Sequence, residues 1–510
     1  MFVRVLSFSV WGIDAFLVEV EVDFSKGLPG VTIVGLPDSS VKESRERVRS
    51  ALKNSGFRFP SKKVVINLAP ADLRKEGSLF DLSIALGILA ASEILTPEQL
   101  KDKAFLGELS LDGSIKPVKG VLPTVLKAKE LGLKEVVIPE KNLKEASLVK
   151  DISVIGVSHL REVVDYLRGD LELKSFQEEC EWSFEEYEVD FKDVFGQQVA
   201  KRALLISAAG GHNLLMVGPP GAGKTMLSQR LPTILPPLTY EEAVETTKIY
   251  SVAGMLNSEV PIITHRPFRN PHFSISEAGL IGGGSYPKPG EVSLAHNGVL
   301  FLDEFPEFRK DVIEALRQPL EDGKVTITRA SFTVTYPAKF LLICAMNPCR
   351  CGYYGHPKRE CRCTPYEIKK YRNKISGPIV DRIDIHLEVP PVEYKELMAD
   401  TLVEDELDSK TMREVVLKVR EIQKRRYGTP AKLNAKLSSR EVKKYCKPES
   451  KAESFLESVA EKFGFSARSI HKVLKIARTI ADIEECEIIL KRHIAEAVQY
   501  RVLEKTLWEE

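Results

Sequence analysis

The sequence has no long hydrophobic run. Its longest apolar stretch, Leu82 to Ala91 with Ser83 inside it, falls far short of the ~20 residues a membrane span needs. No membrane partner is expected. It has almost no net charge: 73 Lys and Arg against 72 Asp and Glu leave +1. That excludes a uniformly basic nucleic-acid coat protein, but leaves room for a local basic channel. No secretory pattern opens it. Val3-Arg4-Val5-Leu6-Ser7-Phe8 alternates like a strand, and Asp14 and Glu19 interrupt the apolar stretch that follows. Internal repeats and low-complexity segments are absent as well. A soluble, cytoplasmic protein is the expectation. The 8 cysteines are not spread like a disulfide scaffold. Four crowd into Cys349, Cys351, Cys361 and Cys363, the pattern of a metal or redox cluster in a reducing compartment.

At roughly 100–200 residues per domain, 510 residues suggest about three domains. Residues 1–168 read as mixed α+β, with strands over Ala15–Val22 and Lys63–Leu68 and a helix over Asp81–Ala91. A further pattern runs Phe105–Leu111, helix Val121–Leu131, strand Glu135–Pro139. Residues 169–190 are an acidic connector that carries Glu172, Glu178, Glu179, Glu181, Glu185, Glu186, Glu188 and Asp190. Over 191–395 apolar strands alternate with helices, which predicts an α/β domain with a parallel sheet covered on both faces. Over 396–510 the strands stop, and five segments read as helices: Thr411–Tyr427, Ser438–Lys444, Lys451–Phe463, Ser466–Asp482 and Lys491–Lys505.

The central domain carries chemistry. Gly218-Pro219-Pro220-Gly221-Ala222-Gly223-Lys224-Thr225 matches G-x-x-x-x-G-K-[ST] and follows the strand Leu214–Val217. Its glycines let backbone N–H groups turn inward on phosphate oxygens. Lys224 would reach the β- and γ-phosphates of a bound nucleotide, ATP, Thr225 would ligate Mg²⁺, and Met226 would continue the helix whose positive end faces the anion. Farther on, the buried strand Val299–Leu302 delivers Asp303 and Glu304. Asp303 is expected on Mg²⁺, and Glu304 on the attacking water. The next strand, Phe340–Ala345, leads to Asn347, an amide placed to hold that water; taken alone, it also fits a plain turn residue. Arg382, in Val380-Asp381-Arg382-Ile383-Asp384, is expected on an exposed turn, where it would serve a neighbouring subunit's site as an arginine finger. Arg468 opens a C-terminal helix and is expected to touch the nucleotide and report its state. For both arginines a surface ion pair is the bland alternative.

These residues make a recognisable set. With Arg266 to His272, Gly282 to Glu291, Gln318 to Gly323 and Ser466-Ala467-Arg468, the chain resembles, end to end, the YifB/ComM family of magnesium-chelatase-like AAA+ ATPases. The resemblance implies a ring, a homo-hexamer, with ATP sites between subunits. It makes Asn347 sensor 1, Arg382 the finger and Arg468 sensor 2. It places Asp193-Val194-Phe195-Gly196-Gln197, with Gly196 and Gln197, against adenine. The best-understood role in the family is a DNA helicase that drives branch migration during recombination in natural transformation. The alternative is a chelatase-like ATPase that remodels a protein partner. Residues 1–168 resemble the Lon-protease-type S5-like domain, through Lys75-Glu76-Gly77-Ser78, Gly107 to Gly113 and Val136 to Pro139. Aligned on those pieces, Leu79 stands where the serine nucleophile belongs, and Leu122 where the lysine belongs. Leucine can neither attack a carbonyl nor take a proton, so this domain is expected to be non-proteolytic.

Two further features stay open at this level. The four clustered cysteines suit one tetrahedral Zn²⁺, with His356 as a substitute ligand, although C-x-C is tighter than usual; a redox or unliganded cluster is the other reading. DNA is the expected partner. Thirteen Lys and Arg between Lys410 and Lys447 face only Glu414, Glu421 and Glu441, a local excess that would neutralise phosphates, unless it is merely a solvated helix surface. Val325 to Thr335 reads as a hairpin with Arg329 near its tip. In related rings such a hairpin enters the pore, where Arg329 would grip a phosphate backbone.

Overall fold

The computed structural model describes residues 2–73, 75, 77–176, 187–256, 260–284, 287–329, 332–391 and 408–508. Most of the acidic connector, the hairpin tip and the 395/396 boundary lie outside them. Two sheets organise the rest. The first has seven strands in the spatial order Gly30–Val34, Lys63–Ala69, Asp14–Ser25, Val3–Trp11, Lys103–Phe105, Glu135–Pro139, Ser153–Val157. It is mixed: the two longest strands form an antiparallel hairpin, while the last three run parallel. Asp81–Ala91 crosses it as a helix buried on every side, as its near-continuous apolar sequence requires. Its first residue, Asp81, is a buried carboxylate, and Arg47 pays for it with two hydrogen bonds, at 2.7 and 3.1 Å. The expected pattern over Phe105–Leu111 divides in two. Phe105 ends a sheet strand, and Glu108–Leu109 pairs instead with Ile115–Lys116 in a small hairpin.

The second sheet is entirely parallel, in the order Phe268–Arg269, Val299–Leu302, Leu341–Met346, Leu214–Val217, Ile385–Glu388. Alternation sorts its side chains between two cores. Leu214, Met216, Phe301, Ile343 and Leu387 join one cluster, with the helices Gln198–Gly210, Ser409–Tyr427, Ala467–Ile483 and Lys491–Trp508. Leu215, Val217, Leu302, Cys344 and Met346 join another, with Phe305, Val312, Tyr371 and Val380. The C-terminal helices therefore pack on one face of the parallel sheet. All five expected from the sequence are present, with ends shifted by up to three residues.

The two sheets meet through the helix Tyr240–Ala253. Ser251 Oγ donates to the buried carboxylate of Glu145, which also accepts from Leu122 N at 2.9 Å. Lys248 pairs with Asp14 at 2.6 Å. The turn of the first hairpin reaches further: a Cβ added to Gly12 would lie 3.3 Å from Val334. The N-terminal hairpin thus touches the hairpin Lys324–Arg329/Phe332–Pro337 of the central region.

Candidate nucleotide site

Three neighbouring parallel strands end together. Val217 pairs with Met346, and Leu302 with Cys344. Their carboxyl ends place the glycine turn, Asp303-Glu304 and Asn347 along one rim, where open α/β sheets bind ligands. Thr225 Oγ1 donates to Asp303 Oδ2 at 2.6 Å. That separation is close to the ~2.9 Å expected between adjacent oxygens around an octahedral Mg²⁺, so the donor set fits the ion. Glu304 is exposed and takes a left-handed backbone, φ 52°, a strained conformation for a residue with a side chain. It turns the chain sharply out of the buried strand.

Lys224 is buried, and its ammonium donates to Gly218 O, Pro219 O and Asn347 Oδ1 at 2.6, 2.9 and 3.2 Å. Burial pushes its pKa down to about 8, against the pull of Asp303. The loop is shaped for close approach. A Cβ at Gly218 would meet Val389 O at 2.2 Å, whereas one at Gly221, with φ +79°, would meet nothing within 4 Å. The second finding leaves an open cradle over the loop. Ala222 is buried beneath it and Met226 is partly exposed. Gly196-Gln197 closes the flank: Gln197 Nε2 donates to Pro390 O at 2.8 Å and lies 3.5 Å from Ala222 O.

Arg382 and Arg468 lie elsewhere. Arg382 precedes the strand Ile385–Glu388, which runs parallel to the strand leading into the glycine turn, with Ile385 opposite Leu214. It therefore sits at the other end of the sheet, a strand length of about 13 Å from the phosphate loop at ~3.3 Å per residue. It is also less exposed than its turn suggested. Its guanidinium is held by Glu321 and by Pro378 O at 2.5 Å, because a cation shielded from water needs acceptors. Arg468 shares this edge. It is exposed and pairs with Asp381 at 3.6 Å, while Lys472, one turn on, donates to Ile383 O at 3.1 Å. The structure thus brings Arg468 to the Arg382 turn and not to Lys224 of its own chain. Glu321 was missed in the sequence as a partner of Arg382, although it lies in the quoted Gln318–Gly323 stretch.

The four cysteines converge. Cys349, Cys351 and Cys361 lie 3.3–3.6 Å apart, and all four sulfurs fall within 4.8 Å of one another. Four sulfurs at ~2.3 Å from a tetrahedral Zn²⁺ would be about 3.8 Å apart, so this donor set fits. Burial works to raise the Cys351 thiol, but N–H groups of Tyr353 and Arg362 and the neighbouring thiols outweigh it and hold Cys351 below the usual range. His356 does not join them. Its Nδ1 accepts from Lys358 N and Arg359 N at 3.0 and 3.1 Å.

In the N-terminal sheet, Leu122 is buried and Leu79 packs between two cores. Ser78 Oγ donates to Glu108. Ser78, Leu79, Glu108 and Lys119 line one cavity of about 350 Å³. The Lys119 amine is turned to Gly254, whose added Cβ it would meet at 2.7 Å.

The basic run is partly spent inside the molecule. Arg413 donates to Thr233 O, Arg420 to Ala208 O, and Arg426 pairs with Asp482. Lys418, Lys424, Arg425, Arg440, Lys443, Lys444 and Lys447 stay exposed. Arg329 is exposed at the end of its strand, and the hairpin is anchored by Tyr336 Oη, which donates to Pro287 O at 2.6 Å.

Family models for the magnesium chelatase subunit ChlI match residues 190–397, with further ChlI models over 20–142 and over 406–501. Competence protein ComM of Haemophilus influenzae is 46% identical over 97% of this chain and 96% of its own length. The chain belongs to the YifB/ComM family of magnesium-chelatase-like AAA+ ATPases. YifB of Escherichia coli, in the same family, is 44% identical over 97% of the chain and 96% of its own length. Lon protease 2 of Bacillus subtilis is 33% identical over 25% of the chain and 23% of its own length. Family membership agrees with the geometry of the glycine turn: the chain is an AAA+ ATPase, and its site suits ATP with Mg²⁺. Among the described residues no helix is long and apolar enough to cross a membrane.

Proposed function

We propose that this chain is one subunit of a ring motor, a homo-hexamer, that hydrolyses ATP to move DNA as a branch-migration helicase in recombination. The observation that carries the ring is the split site. Lys224, Thr225, Asp303, Glu304 and Asn347 meet at one end of the parallel sheet, while Arg382 and Arg468 stand at the other. From that edge the two arginines can serve a nucleotide only in a pocket presented by a neighbour; ion pairs with Glu321 and Asp381 within the chain are the bland alternative.

In this reading Glu304 orients and deprotonates the attacking water, with Asn347 holding it in line. Lys224 moves from the loop carbonyls to the β- and γ-phosphates. Thr225 and Asp303 hold Mg²⁺, which supplies charge neutralisation when bound. The neighbour's Arg382 offsets charge that builds on the γ-phosphoryl group, and its Arg468 steadies the nucleotide. Gly196, Gln197, Gly218–Thr225 and Met226 form the nucleotide cradle. The domains are 1–168, Lon-like and non-proteolytic, 191–395, the AAA+ core, and 396–510, a helical lid, joined by a linker over 169–190. The four cysteines hold one Zn²⁺. Arg329 and the exposed lysines and arginines of the lid supply phosphate contacts, and the protein works in the cytoplasm.

The test measures ATP hydrolysis with and without duplex, single-stranded and branched DNA, followed by strand movement in a four-way junction. Stimulation with strand movement is the expected result. No DNA binding at low salt would overturn the DNA reading and leave a protein partner as the substrate.

A further inference from the structure

We propose that the four-cysteine knuckle is a metal-dependent strut of the ATPase site, so that Zn²⁺ occupancy sets the rate of ATP hydrolysis. The proposal rests on the reading of Lys224 and Asn347 as ATP-site residues.

The knuckle begins at the catalytic rim. Asn347 directly follows the strand Leu341–Met346 and lies 3.2 Å from Lys224, and Cys349, two residues on, is fully buried. Gly352, between the two cysteine pairs, has φ +85°, and a Cβ there would lie 2.7 Å from Cδ of Pro220. The knuckle backbone therefore rests directly on the phosphate loop. A side chain at Gly352 would have to push that loop away.

Apart from short-range turn hydrogen bonds such as Gly352 N to Cys349 O at 3.0 Å and His356 N to Tyr353 O at 3.1 Å, the knuckle is held mostly from its two ends. From Tyr354 to Glu360 every residue but the half-buried His356 is exposed, so the loop buries no core of its own to offset its ordering entropy. Its outer end is fixed by the helix Pro365–Arg372, whose Arg372 donates to Pro348 O at 3.1 Å and lies over the Tyr354 ring at 5.1 Å. Between those anchors the sulfur cluster ties Cys361 and Cys363 back to Cys349, beside one exposed cross-link from Arg359 to Tyr353 Oη at 2.7 Å. Thiol–thiol contacts are weak, whereas metal–thiolate bonds supply folding free energy outright. With the ion bound, the loop is stiff and presses Gly352 against Pro220 while it fixes Asn347. Without it the loop loosens, and a small misplacement of the water-holding amide costs turnover. ATP binding suffers less, because the glycine turn and Lys224 remain.

The experiment uses the full-length protein purified without chelators. Zinc is measured by mass spectrometry, ATP affinity with a fluorescent nucleotide, and turnover at saturating ATP. One zinc per chain is expected. Cys361→Ser with Cys363→Ser removes the metal, lowers kcat by about tenfold or more, and leaves ATP affinity within about threefold. Gly352→Ala keeps the zinc and still lowers kcat, which separates the strut from the metal. Protein that neither carries nor takes up zinc, including one whose cysteines are found as disulfides, would overturn the proposal. So would a zinc-free double variant with wild-type kcat. If that variant does not fold by circular dichroism, Gly352→Ala carries the test, and wild-type kcat in that protein overturns the strut. Hydrolysis that survives Lys224→Ala would instead defeat the ATP-site reading, whatever the zinc result.

Discussion

Glu321 holds Arg382. The carboxylate, at the end of the helix Arg317–Asp322, pairs with the guanidinium within one chain. That helix leads through Gly323 into the hairpin that carries Arg329. If Arg382 serves a neighbour's γ-phosphate, as proposed, it must first leave this carboxylate, so the pair would couple it to the hairpin. Glu321→Gln is expected to raise ATP turnover in the absence of DNA. The rise should be no more than about fivefold, since a pair with one largely exposed partner is worth about 1 kcal/mol or less. Turnover that collapses as it does for Arg382→Ala would show that Glu321 supports the finger and does not restrain it.

Inter-subunit completion predicts complementation. Lys224→Ala and Arg382→Ala should each be inactive. Mixed in equal amounts and allowed to exchange, they should regain up to about a quarter of wild-type turnover, the fraction of interfaces that pair an intact loop with an intact finger in a closed ring. Turnover is read against the mixing ratio. No recovery in demonstrably mixed rings would place Arg382 outside the site.

ATP binding should weaken at alkaline pH. The buried Lys224 ammonium has a pKa of about 8 in the nucleotide-free chain. Phosphate charge raises it on binding, so the complex keeps a proton that the free protein sheds. Affinity is therefore full below pH 8 and falls above it, by up to about tenfold per pH unit. Fluorescent-nucleotide titrations from pH 7 to 9.5 check this. Lys224→Arg, if it still binds, should show a flat profile over the same range.

Arg329→Ala should spare DNA-free ATP turnover and weaken DNA binding. The slope of log affinity against log salt should fall by about one for each engaged subunit. An unchanged slope would confine the hairpin to a structural duty.

The N-terminal sheet should have no peptidase activity. Leu79 and Leu122 lack the needed chemistry, and Ser78 is bonded to Glu108, with the Lys119 amine turned elsewhere. Fluorogenic peptides should not be cut, and Ser78→Ala should leave ATP turnover within about twofold. Cleavage abolished by Ser78→Ala would refute this.

Helical periodicity identified all five C-terminal helices, short apolar runs the Leu214–Val217 and Val299–Leu302 strands, and a motif the phosphate loop, because each is written in contiguous residues and local spacing. The helices Ser39–Asn54 and Tyr240–Ala253 went unread, and so did the strand Gly30–Val34. Ser39–Asn54 has few apolar positions, and Gly30–Val34 is a short edge strand with no buried residue, recognisable only from its pairing with Lys63–Ala69. The contact of Thr225 with Asp303 was implied by motif, but the strand order that permits it is tertiary. The same holds for the separation of Arg382 and Arg468 from Lys224. Neighbouring parallel strands put the start of one element beside the start of the next, so residues far apart in sequence share an end of the sheet. Cys349, Cys351, Cys361 and Cys363 announced a cluster by composition. That it rests on Pro220 depends on Gly352 being small and left-handed at that crossing, which only packing in three dimensions decides.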